Sequence, residues 1–115
     1  MEVIPIAQNL WFEEDPRGAT LTCQAGEGDD ATFFHVGISH QSLLEINHAL
    51  AASTSEWVIR DGSFLVHGDK EALTLRFCTR QGTALEAELS LFGLELKAFR
   101  WAINAFALRR SAHLN

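Results

Sequence analysis

Leu73-Thr74-Leu75-Arg76-Phe77-Cys78 and Leu85-Glu86-Ala87-Glu88-Leu89-Ser90-Leu91 are the two stretches on which the fold turns. In each, apolar and polar residues alternate with period two, the pattern of a strand with one buried face. Gly82 between them suits the left-handed position of a three-residue hairpin loop. Either workable register sets Arg76 opposite Glu86 or Glu88, a cross-strand pair on a solvated sheet face. An antiparallel sheet follows from these residues alone.

Upstream, Trp57-Val58-Ile59 and Phe64-Leu65-Val66 flank Arg60-Asp61-Gly62-Ser63. Asp-Gly is a hairpin signal, because both central residues of a type I′ turn need positive φ. Apolar residues on both faces predict central strands or an interface. Before this hairpin a helix is predicted, with Ser42 as N-cap and Glu45 completing a capping box. Leu43, Ile46 and Leu50 form its apolar stripe, and it ends near Ser53-Thr54.

Further upstream, residues 19–25 and 31–38 read as another hairpin. Matching the apolar faces sets Leu21 and Cys23 beside Phe34 and Val36. It leaves His35 on the other face with Thr22, Gln24 and Phe33. Val3-Ile4-Pro5-Ile6 predicts an edge strand, since Pro5 cannot sit in a central one. Leu10-Trp11-Phe12 then leads into Glu13-Glu14-Asp15-Pro16-Arg17-Gly18, read as an exposed turn.

Downstream, residues 93–110 read as a long helix. Leu96, Phe99, Ile103 and Phe106 line one face. Leu94, Trp101, Ala105 and Leu108 lie across a polar strip of Lys97, Arg100 and Asn104. A helix apolar around most of its girth needs a second buried surface, so Trp101 and Leu108 are expected at a homodimer interface. The expected fold is α+β: an antiparallel meander of about six strands with one middle helix and one long C-terminal helix packed on it. It forms a single globular domain over residues 1–115, with no internal repeat.

Charge is unevenly distributed. Residues 1–57 carry nine acids and one base, for a net of −8, whereas residues 58–115 carry eight bases and six acids, for +2. The overall −6 argues against nucleic acid and against anionic lipid as partners. No signal peptide and no apolar run of membrane-spanning length is evident. Cys23 and Cys78 are far apart, without CxxC spacing, and read as free thiols in a reduced cytoplasmic setting.

No motif for catalysis stands out. The five histidines show no HxH, HxxxH or HExxH spacing, so no metal is expected. There is no GxSxG, GxGxxG or P-loop, so neither a nucleophile elbow nor a cofactor is expected. The paired carboxylates lie in turns or opposite arginine, where solvated surface is the simpler reading.

Trp101-Ala102-Ile103-Asn104-Ala105, on a C-terminal helix after a strand meander, resembles the closing helix of pleckstrin-homology-type domains. That resemblance implies phosphoinositide or peptide binding. Leu43-Leu44-Glu45-Ile46-Asn47, between strands of a small acidic α+β chain, is similar to secretion chaperones, which implies dimerisation around an effector segment. Neither resemblance assigns a site residue.

The function expected from the residues is a non-enzymatic protein-binding or regulatory domain: an adaptor, a chaperone-like factor or a neutraliser of a basic partner. Trp11 and Phe12 would anchor the partner. Glu13, Glu14, Asp15, Asp29 and Asp30, brought to one end of the sheet, would steer it. The alternative is a small-ligand binder or enzyme with a pocket between sheet and C-terminal helix, using Thr22, Gln24, Phe33 and His35.

Overall fold

The computed structural model describes residues 3–16, 18–52, 56–69, 71–78 and 85–114. Strands β1 (Val3–Ala7), β2 (Leu10–Asp15), β3 (Gly18–Ala25) and β4 (Thr32–Ser39) precede helix α1 (His40–Ala52). Strands β5 (Trp57–Asp61), β6 (Phe64–Gly68), β7 (Leu73–Cys78) and β8 (Leu85–Leu91) precede helix α2 (Gly93–Leu114). The expected α+β class and antiparallel pairing hold. In place of one sheet of about six strands there are two sheets of four, ordered β1-β2-β3-β4 and β5-β6-β7-β8.

The chain therefore repeats one element order, four antiparallel strands and a helix, with no repeat legible in its residues. The switch in charge falls at Trp57, where the second unit begins. One unit is strongly acidic and the other mildly basic.

Several expectations stand at residue level. Leu21 pairs with Val36, Cys23 with Phe34, Thr22 with His35 and Gln24 with Phe33. Arg76 pairs with Glu88, and their side chains meet at 2.8 Å. Strand β1, carrying Pro5, lies at a sheet edge. The Gly82 loop lies outside the described residues.

Others are corrected. The acids Glu13, Glu14 and Asp15 are strand residues of β2, paired with Thr20, Ala19 and Gly18, rather than part of a turn. Pairing to β3 carries the strand through residues of low strand preference. In the β5–β6 hairpin Asp61 pairs with Phe64, so the central residues are Gly62 and Ser63, with Gly62 at φ 59°. Helix α1 begins at His40. Its capping hydroxyl belongs to Ser39, which accepts the Ser42 amide at 3.2 Å, while Glu45 accepts instead from Gln41.

The two units share one core. Phe12 of β2 packs between Phe99 and Phe106 of α2, with ring centroids 5.5 and 5.6 Å apart. Phe34 of β4 meets Phe77 of β7 at 6.2 Å. Helix α2 also reaches α1, where the Arg100 guanidinium donates to the Leu50 carbonyl. Gly68 has a packing role: a Cβ there would overlap the Trp57 indole on the paired strand.

Candidate functional site

Alternation along β2, β3 and β4 divides the first sheet into two faces. Leu10, Phe12, Leu21, Cys23 and Ile38 point into the core. Trp11, Thr22, Gln24, Phe33 and His35 occupy the opposite face. Register sets Trp11, Thr22 and His35 in one row across three strands.

Contacts within this face are specific. The Thr22 hydroxyl and His35 Nδ1 lie 2.9 Å apart. Thr22 is buried beneath its cross-strand neighbours, whereas His35 is exposed. A hydroxyl can donate or accept, so this bond serves either imidazole tautomer. It leaves Nε2 as the outward ring nitrogen. Phe33, 49% exposed, stacks against the His35 ring at 6.4 Å with a 14° interplanar angle. Trp11 meets the Phe33 ring edge-on at 6.4 Å. Its indole N–H donates to Glu13 Oε1 at 3.2 Å, which fixes the ring on the face.

Acids bracket these aromatics. Glu13 and Asp15 continue the same face along β2, and Asp15 accepts from the Thr20 hydroxyl at 3.2 Å. Glu27, Asp29 and Asp30 lie exposed in the β3–β4 connection, where residues Gly28–Asp30 form a 3-10 turn. The acidic segments thus sit at opposite ends of β3, about 23 Å apart at roughly 3.3 Å per residue. The expectation that they share one end of the sheet is corrected, because the β2–β3 turn and the β3–β4 connection join opposite ends of one strand.

Two further placements are corrected. Phe12 is fully buried against α2, a core residue rather than an exposed anchor. Thr22, Gln24, Phe33 and His35 do gather, but on the face turned away from α2. Gln24 also lines a cleft with Glu95 of α2, but Thr22, Phe33 and His35 take no part in it, so the four together do not form the pocket expected between sheet and C-terminal helix. Trp11 joins them instead of Phe12. Strand alternation could have separated the two, had the acidic run not been read as a turn.

An open polar cleft of about 610 Å³ lies at the β1–β2 turn, lined by Gln8, Asn9, Gln24, Glu27 and Glu95 among others. A smaller one of about 310 Å³ at the end of β4 is lined by Asp15, Ala19, Gly37, Ile38, Ser39 and Asp61. Among the described residues no three His, Cys, Asp or Glu gather to hold a metal, and no helix is long and apolar enough to cross a membrane. Cys23 faces the core, away from His35, and burial pushes its thiol pKa up, so the two form no nucleophile–base pair. His40 keeps a buried Nδ1 without a hydrogen-bond partner among the described residues.

On α2, Leu94, Trp101 and Leu108 are 82%, 61% and 60% exposed. They recur every seven residues, opposite the buried Phe99, Ile103 and Phe106. The chain matches no family model, and neither a curated protein nor a solved structure matches it.

Proposed function

We propose that the chain is a non-enzymatic protein-binding domain that docks a basic partner on the outer face of its acidic first unit. The observation carrying this reading is the outer-face cluster of half-buried Trp11 with exposed Phe33 and His35, with acids beyond it at both ends of the strands. Exposed aromatics at the centre of a patch supply contact area at low entropic cost, and charges at the rim steer approach. The cluster lies on an open face, the shape of a docking surface more than of a catalytic pocket. We place this role in the cytoplasm, supported by two free cysteines.

Self-association through α2 belongs to the same proposal. Leu94, Trp101 and Leu108 support it as an unpartnered apolar stripe on the less charged unit, where two copies meet without bringing their acidic halves together.

The test is affinity capture from host lysate at low and raised salt. The wild-type chain should retain a basic protein stoichiometrically and release it as salt rises. A Trp11→Ala/Phe33→Ala double variant should lose it. Capture unchanged in that variant, or no partner at either salt, contradicts the reading.

A further inference from the structure

Both edges of the first sheet end in strands, and they differ. The β1 edge is blunted by Pro5 and by a register irregularity between Pro5 and Ala7, two standard protections against unwanted pairing. The β4 edge has neither. Its residues pair with β3 without interruption from Thr32 to Ser39. It contains no proline, lysine or carboxylate.

The direction of its backbone groups follows from one bond. The Ser39 amide donates to the Asp61 carboxylate at 2.9 Å, away from β3. Alternation then turns the N–H and C=O groups of Phe33, His35 and Gly37 the same way, outward along the edge. The Gln24 amide agrees: it donates to the Asn9 carbonyl on the β2 side, as its position opposite Phe33 requires. Phe33, His35 and Gly37 are all exposed. On the inner side of the same edge, Phe34 and Val36 are only half-buried, so the core is incompletely covered where the sheet stops.

We propose that β4 accepts an extended segment of a basic protein partner as an added fifth strand. The proposal rests on the reading of this sheet as a docking surface and names the form the partner takes. Charge selects the occupant. Glu27, Asp29 and Asp30 precede the start of β4, and the cleft at its far end is lined by Asp15 and Asp61. Basic side chains at both ends of the added segment meet these acids. Its inward residues lie beside Phe34 and Val36 and are apolar. Its outward residues lie beside Phe33 and His35. A second copy of the chain fits poorly, because pairing two β4 strands would bring two halves of net charge −8 together.

The probe is a labelled peptide of three Val-Thr repeats flanked at each end by two lysines, titrated against the full chain by fluorescence anisotropy. The wild-type chain should bind it, and a peptide with glutamates in place of lysines should not bind. Gly37→Pro removes one outward amide without taking a bond from the β3–β4 ladder, and a Cβ added at Gly37 meets nothing within 4 Å. Its affinity should fall at least about tenfold, since both main-chain pairing and strand approach are lost. Should that variant misfold, a peptide N-methylated on alternate residues tests the same bonds on the unaltered protein and should lose binding equally.

No binding of the lysine-flanked peptide overturns the proposal. So does binding that survives both Gly37→Pro and N-methylation. If that surviving binding still falls in Trp11→Ala/Phe33→Ala, strand addition fails while the docking face stands. A dimer abolished by Gly37→Pro also overturns the proposal, by naming a second copy as the occupant.

Discussion

Thr22 is the residue on which the outer face depends. It is a buried polar side chain bonded to His35, where the sequence offers only a threonine opposite a histidine. Thr22→Val keeps the shape and strand preference but removes the hydroxyl. It should cost about 1 kcal/mol in urea unfolding, the usual net worth of one such bond. It should also loosen the His35 ring, read as broadened or shifted imidazole resonances. An unchanged urea midpoint would mean the bond contributes nothing. Cys23, on the opposite face, makes a pH prediction. Burial raises its folded pKa above the ordinary value, so the neutral thiol is favoured in the folded state. The sign is fixed: this contribution is complete below the unfolded pKa of about 8.5 and is lost as pH rises beyond it. The stability gap between wild type and Cys23→Ala should therefore narrow between about pH 7 and about pH 10. A constant gap would contradict the burial.

Helix α1 and the hairpins set out what each element takes from its own residues. The register of β3 with β4 and of β7 with β8 was legible, because apolar alternation on one face admits few alignments. The helix cap was misplaced by three residues. Ser39 and Ser42 are both plausible caps, and only the end of β4 decides between them. Ser39→Ala should accordingly cost about 1 kcal/mol, as loss of an N-cap does. Ser42→Ala, three residues into the helix, should cost less. Thermal unfolding of the two variants orders them, and the reverse order would return the cap to Ser42. Strand β2 was missed because Glu13-Glu14-Asp15-Pro16 has the composition of a turn. Its strand character comes from pairing with β3, a tertiary cause absent from local sequence. The Arg76–Glu88 pair is half-exposed, and Arg76→Ala should change stability by less than about 1 kcal/mol.

The whole molecule divides by charge as it divides by topology, an acidic four-stranded unit and a mildly basic one joined through a common core. Charge asymmetry is plain in the residues. That it maps onto two repeated units is not, since the repeat lies in element order and leaves no trace in side chains. The splitting of strands into two sheets was equally hidden: hairpin patterns fix neighbours but not where a sheet ends. The outer face was half legible, with Thr22, Gln24, Phe33 and His35 grouped correctly and Trp11 separated from them. At this scale α2 makes the remaining prediction. Its stripe of Leu94, Trp101 and Leu108 should hold two copies together, and Trp101→Arg should reduce the mass in solution, read by light scattering, to that of one chain. A mass unaffected by the substitution would leave the stripe without that role.

The measurement that bears most directly on the docking face is amide and side-chain chemical-shift mapping of the labelled chain as the lysine-flanked peptide is added. The account predicts shifts at Trp11, Thr22, Phe33, His35 and Gly37, fading as salt is raised. Shifts confined to Leu94, Trp101 and Leu108, or none at all, would contradict it.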